Sequence, residues 1–168
     1  MYILPMQTDD KNKNEIHLTK EEHEAVDREW KLFMAQAPKE EISGEWYAPK
    51  GVAETMQKTI ASHALFDLAE DYLRRTNGSS IERIDDAEKS NLFEKAITSA
   101  LKAASIDPDP LNTYKAGIVL EKAGKINDAK TYYRLFLDYS SDLLKNENEN
   151  YRITVQRAID DVKSKNIL

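Results

Sequence analysis

From Leu18 onward, apolar residues recur at intervals of three and four, the period of one face of a helix and not of a strand. Thr19 and Glu22 stand at capping-box spacing. Val26, Trp30, Phe33, Met34 and Ala37 follow on one stripe that Pro38 ends, so a first amphipathic helix is predicted. Residues 38–51 hold Pro38, Gly44, Pro49 and Gly51 around Trp46 and Tyr47, the composition of a loop pinned by two aromatics. From 52 to about 75 there is no further Pro or Gly, and Ile60, Ala61, Leu65, Leu68, Ala69 and Tyr72 predict one long helix. Thr76-Asn77-Gly78-Ser79-Ser80 stops it, with Ser79 and Glu82 as the cap of one short helical turn before Ser90. Further helices are predicted at 91–105, closed by Asp107-Pro108-Asp109-Pro110, and at 111–123 and 127–145, separated at Gly124. After a polar break at 146–150, Tyr151, Val155, Ala158, Ile159 and Val162 lie on one stripe of a last helix.

The pattern repeats. At an offset of 33 residues, Phe93 falls on Ile126, Ala96 on Ala129, Ala100 on Tyr133, Ala103 on Phe136 and Ile106 on Tyr139. The preceding helices superpose at 48, with Leu65 on Thr113, Leu68 on Ala116, Ala69 on Gly117 and Tyr72 on Leu120; the insertion at 76–90 makes up the extra 15. A period near 34 residues made of two antiparallel helices marks a helical-repeat array. In Ala116-Gly117, Leu120, Gly124-Lys125-Ile126, Asp128-Ala129, Tyr132-Tyr133 and Leu137 the second repeat resembles the tetratricopeptide repeat (TPR) family. The first repeat adds Ala69, Ala96, Ala100 and the ending Ile106-Asp107-Pro108. It departs from the pattern in its long insertion, and Thr113 stands where the family usually has a bulky aromatic, so the array is divergent. The resemblance covers roughly residues 56–141 and implies an all-α fold of stacked antiparallel hairpins, with the last helix as a cap and the first packed on the array. The division expected is an N-terminal arm at 1–18, flexible and containing Tyr2-Ile3-Leu4-Pro5-Met6, then an amphipathic helix and aromatic loop at 19–51, then the repeat domain at 52–168.

In proteins of that family the first helix of each pair lines a groove in which a segment of another protein lies. Carried over position by position, the resemblance nominates His63, Phe66, Glu70 and Leu73 from the first repeat and Tyr114, Ile118, Glu121 and Lys122 from the second. An aromatic or aliphatic stripe at helical spacing is equally the mark of a core. Tyr114 and Ile118 occupy positions where family members that grip a terminal carboxylate carry a Lys and Asn clamp, so that mode of binding is not implied here. An apolar groove flanked by Glu suits a peptide or helix with positive charge, such as a basic amphipathic one, and the arm at 1–18 is a candidate occupant from within the chain.

Composition narrows the function classes. Hydrophobic residues are 40% and charged residues 32% of 168, and five Gly and five Pro are too few for a turn-dense sandwich or barrel. The absence of cysteine excludes disulfides, thiolate metal sites and thiol nucleophiles, and fits the cytoplasm. Residues 1–6 are apolar without a basic leader, no stretch approaches the length of a membrane span, and a net charge of −6 disfavours nucleic acid and anionic lipid. The histidines His17, His23 and His63 show no His-Glu-x-x-His or Glu-x-x-His spacing, so neither a metal site nor a cofactor is expected. Adjacent acids such as Asp85-Asp86 and Asp160-Asp161 point apart on a helix, and no phosphate-binding loop or nucleophile elbow occurs, so no catalytic set is nominated. The expectation is a non-enzymatic binding module: an adaptor, assembly factor or chaperone. Two alternatives remain. One is an immunity or antitoxin-type protein whose acidic surface blocks a partner's active site. The other is a ligand-binding or enzymatic helical domain with a site around Trp46, Tyr47 and His63.

Overall fold

Thr19 and Glu22 open the first helix as their spacing predicts: the Thr19 amide donates to Glu22 Oε2 at 2.7 Å, and the Glu22 amide to Thr19 Oγ1 at 3.3 Å. The computed structural model describes residues 16–36, 50–76 and 84–165. It is all-helical over them, with α1 (Lys20–Gln36), α2 (Lys50–Thr76), α3 (Asp86–Ile106), α4 (Pro110–Lys122), α5 (Ile126–Leu143) and α6 (Glu149–Ser164). Most of the arm, the aromatic loop with Trp46 and Tyr47, and the cap expected at Ser79 and Glu82 lie outside the described residues.

Each described boundary has a local cause. Asp85 caps α3, its carboxylate accepting from the Glu88 amide at 2.7 Å, so that helix starts five residues before the expected Asn91. Residues 86–91 are all exposed, and a solvated turn carries no apolar period to reveal it. Asp109 caps α4 by accepting from the Leu111 amide at 2.7 Å, and Pro110 occupies the first turn, where its missing N–H costs nothing. Between α4 and α5 Gly124 takes φ +79°, and the Lys125 amide bonds back to the Leu120 carbonyl at 2.8 Å, a Schellman closure that a glycine permits without strain. Asn148 caps α6 by accepting from the Tyr151 amide at 3.1 Å, which places the start of that helix inside the expected polar break.

Successive helices pack as antiparallel hairpins, most extensively α2 on α3 and α4 on α5, with α1 against α2. The first core joins α1 to α4 through Val26, Leu65, Ala69, Tyr72, Ala96, Ala100, Ala103 and Ala116. Its run of alanines lets α2 and α3 approach closely. The second core sets Tyr133 and Phe136 of α5 against Val155, Ala158, Ile159 and Val162 of α6. The inner residues of the 33-residue offset are buried in both copies: Ala96 and Ala129, Ala100 and Tyr133, Ala103 and Phe136. At its outer end Tyr139 is exposed.

Candidate functional site

Along one side of the stack α2 touches α4 and α4 touches α6, whereas the backbones of α3 and α5 stay further apart and meet through side chains such as Ile97 of the second core. Helices α2, α4 and α6 thus form one wall of the stack, and all eight nominated residues can be traced along α2 and α4 by their exposure or by what covers them.

Phe66 and Leu73 are buried in the first core, at 6% and 7% exposure. The resemblance puts them in an open groove; the first core takes them up instead, and Lys115 Nζ of α4 lies 5.4 Å above the Phe66 ring. They hold the wall together and are not presented to a partner. Tyr114, Ile118 and Glu121 are half-buried, because α6 closes over the end of α4. Tyr114 donates to Asp161 Oδ2 of α6 at 2.9 Å and stacks on Phe136 at 5.3 Å between ring centres. Glu121 accepts from the Tyr133 hydroxyl and pairs with Lys165 at 3.0 Å. Burial first, and then the facing carboxylates, push the Tyr114 and Tyr133 hydroxyls far above the ordinary phenol range, so both stay protonated as donors. Burial and the charge of Asp109 likewise push Tyr151 up to about 12. These phenols clip helices together. That leaves His63 and Glu70 of α2 and Lys122 of α4 exposed.

Sequence reasoning missed two features. One is the polar clip of Tyr114, Glu121, Tyr133, Asp161 and Lys165, which joins three helices and has no signature in any single one. The other is a group of three on α1 and α2: His63 Nδ1 lies 3.6 Å from Glu29 Oε1 and 3.5 Å from Asp67 Oδ2. His63 and Asp67 match neither a His-Glu-x-x-His nor a Glu-x-x-His spacing, and a third ligand supplied from another helix escapes any such pattern. Where α3 and α5 part, an open crevice of about 330 Å³ has Ile97, Leu101, Leu120 and Tyr132 in its lining and the Glu94–Lys125 pair, 3.6 Å apart, at its edge. A second, of about 490 Å³, lies between the start of α1 and α3 and is lined mainly by polar side chains. No described helix is long and apolar enough to cross a membrane. Comparison with protein-family models, with curated proteins and with solved structures finds no match for this chain.

Proposed function

We propose that this chain is a non-enzymatic protein-interaction module, a divergent TPR-like stack that holds a peptide or helix of another protein along the α2–α4–α6 wall. The observation that supports the reading is the asymmetry of packing: α2, α4 and α6 meet in succession while the backbones of α3 and α5 stay further apart, as expected of a stack whose inner wall is α2–α4–α6. Exposed His63 and Glu70 on α2 and Lys122 on α4 would serve as contacts along it, with half-buried Ile118 as an apolar one. The covered residues Phe66, Leu73 and Tyr114 fix the positions of these side chains, a rigid surface that spares a bound segment part of the ordering cost on its receptor's side. With Asp67 and Glu70 on α2, a segment with positive charge at that end is the complementary guest. Roles as adaptor, assembly factor or chaperone are all served by such a hold.

The test begins with affinity capture and mass spectrometry in cells that express the chain, followed by titration of the purified pair. Exchanging the wall charges in a Glu70→Lys, Lys122→Glu variant is expected to weaken binding about tenfold or more, since charges facing a partner's charges become repulsive. Helical content should be unchanged, because both side chains are exposed. If that variant binds its partner as the parent does, the wall is not the site. Binding that instead collapses with added salt while ignoring the wall would favour an acidic surface that neutralises a basic partner.

A further inference from the structure

We propose that Glu29, His63 and Asp67 form a binding site for a divalent transition-metal ion of the zinc type, with the remaining coordination position left to water. His63 and Asp67 are one helical turn apart on α2, so their side chains rise from the same face. Glu29 comes from α1, two helices packed on each other through Val26 and the first core. The site therefore spans a fixed interface and does not depend on a loop.

The distances suit a shared ion better than they suit direct pairing. At 3.6 Å and 3.5 Å, His63 Nδ1 is beyond hydrogen-bond length from both carboxylates. At these exposures, 56% for His63 and 60% for Asp67, ion pairs contribute little. In tetrahedral zinc sites with nitrogen and oxygen ligands at about 2.0–2.1 Å, neighbouring donors are about 3.3 Å apart. Two of the three edges are thus within a few tenths of an ångström of the bound geometry. All three ligand atoms lie within 4.8 Å of one another, and the Asp67 side chain is exposed enough to adjust on binding. One imidazole with two carboxylates selects zinc, cobalt, nickel or copper over magnesium and calcium, which prefer all-oxygen shells. Ligation through Nδ1 puts the imidazole proton on Nε2. A bound ion would cross-link α1 to the repeat stack, at the edge of the wall where His63 stands.

The experiment uses the full chain, stripped with chelator and titrated with Zn²⁺ by calorimetry and with Co²⁺ by visible absorption. The expected result is one ion per chain, with the absorption bands of tetrahedral cobalt, and a rise in unfolding temperature when Zn²⁺ is added, because the folded state alone presents the three ligands together. His63→Ala, Glu29→Gln and Asp67→Asn should each weaken the affinity at least about tenfold, since losing a ligand costs no less than losing a group that merely orients one. Each variant keeps the helical signal of the parent, as the altered groups are outside the core. The proposal is overturned if the parent shows no saturable binding, or if it binds Zn²⁺ no more tightly than the His63→Ala variant, which would assign the ion to scattered surface carboxylates. The outcome is independent of whether the wall holds a protein partner.

Discussion

Replacing Tyr133 by alanine is expected to lower the unfolding free energy by about 3–5 kcal/mol, the cost of removing a buried aromatic together with the cavity it leaves. Tyr133 is fully buried where α4, α5 and α6 meet, and its hydroxyl holds Glu121, which in turn holds Lys165. For a chain of this length the loss amounts to a fall of about 6–20 °C in the unfolding midpoint. A sharper form of the prediction uses Gly117. A Cβ added there would meet Tyr133 Cε1 at 2.6 Å and Cδ1 at 2.8 Å, and the ring cannot retreat because it is packed on all sides and tethered through its hydroxyl. Gly117→Ala alone should therefore destabilise, its overpacking cost of about 1–3 kcal/mol exceeding the gain of about 1 kcal/mol from better helix propensity. In the Tyr133→Ala background the obstacle is gone, and the same change should stabilise. A urea-denaturation double-mutant cycle reads this change of sign directly. Strict additivity of the two substitutions would show that the ring does not set the α4–α5 spacing.

That glycine also shows how much of the fold could be read from sequence. Small residues at 117 and 129, a glycine at 124 and an aromatic at 133 each answer a local geometric demand: Gly124 takes φ +79° in the turn, Ala129 is buried, and the buried Tyr133 ring lies against Gly117 of the same hairpin. The same holds for Thr19 and Glu22, whose reciprocal hydrogen bonds need only three residues of separation. The candidate site was less legible, for a physical reason. An apolar stripe announces that a helix face is covered but not what covers it. Phe66 and Leu73 were nominated for a partner, yet α4 and the first core take them up. Tyr114 and Glu121 were nominated on the same grounds and are engaged by Asp161 and Lys165, which are 47 and 44 positions further along the chain. Pairings at that range have no period. The Glu29, His63 and Asp67 group was invisible for the same cause, since only its His63 and Asp67 members share a helix.

Glu22 tests whether the first helix belongs to the stack or merely leans on it. Its side chain is 3% exposed, and it accepts from the Thr19 amide at 2.7 Å, from Ser99 Oγ at 2.9 Å and from Lys102 Nζ at 2.6 Å, so one carboxylate both caps α1 and fastens it to α3. Burial pushes its pKa up, but the hydrogen bonds from Lys102, Thr19 and Ser99 together outweigh burial and hold it below the ordinary value of 4.5. Glu22→Ala removes the acceptor and leaves an ammonium and a hydroxyl facing a gap. Lys102, at 20% exposure, can recover some hydration, so the expected loss is at the lower end of the range for a broken buried pair, about 3 kcal/mol. Glu22→Gln keeps the shape and one acceptor oxygen and should cost less. The pH dependence has a definite sign. Because the folded pKa is depressed, folding favours the ionised form; the stabilisation is complete above the unfolded value of 4.5 and drains away as the pH falls through the lower folded value. Urea midpoints measured across that range should fall more steeply for the parent than for Glu22→Gln, in which this contribution cannot titrate. Parallel acid profiles, with a Glu22→Ala cost below about 1 kcal/mol, would mean that the carboxylate is no more than a surface cap and that α1 is held by Val26 and its apolar neighbours alone.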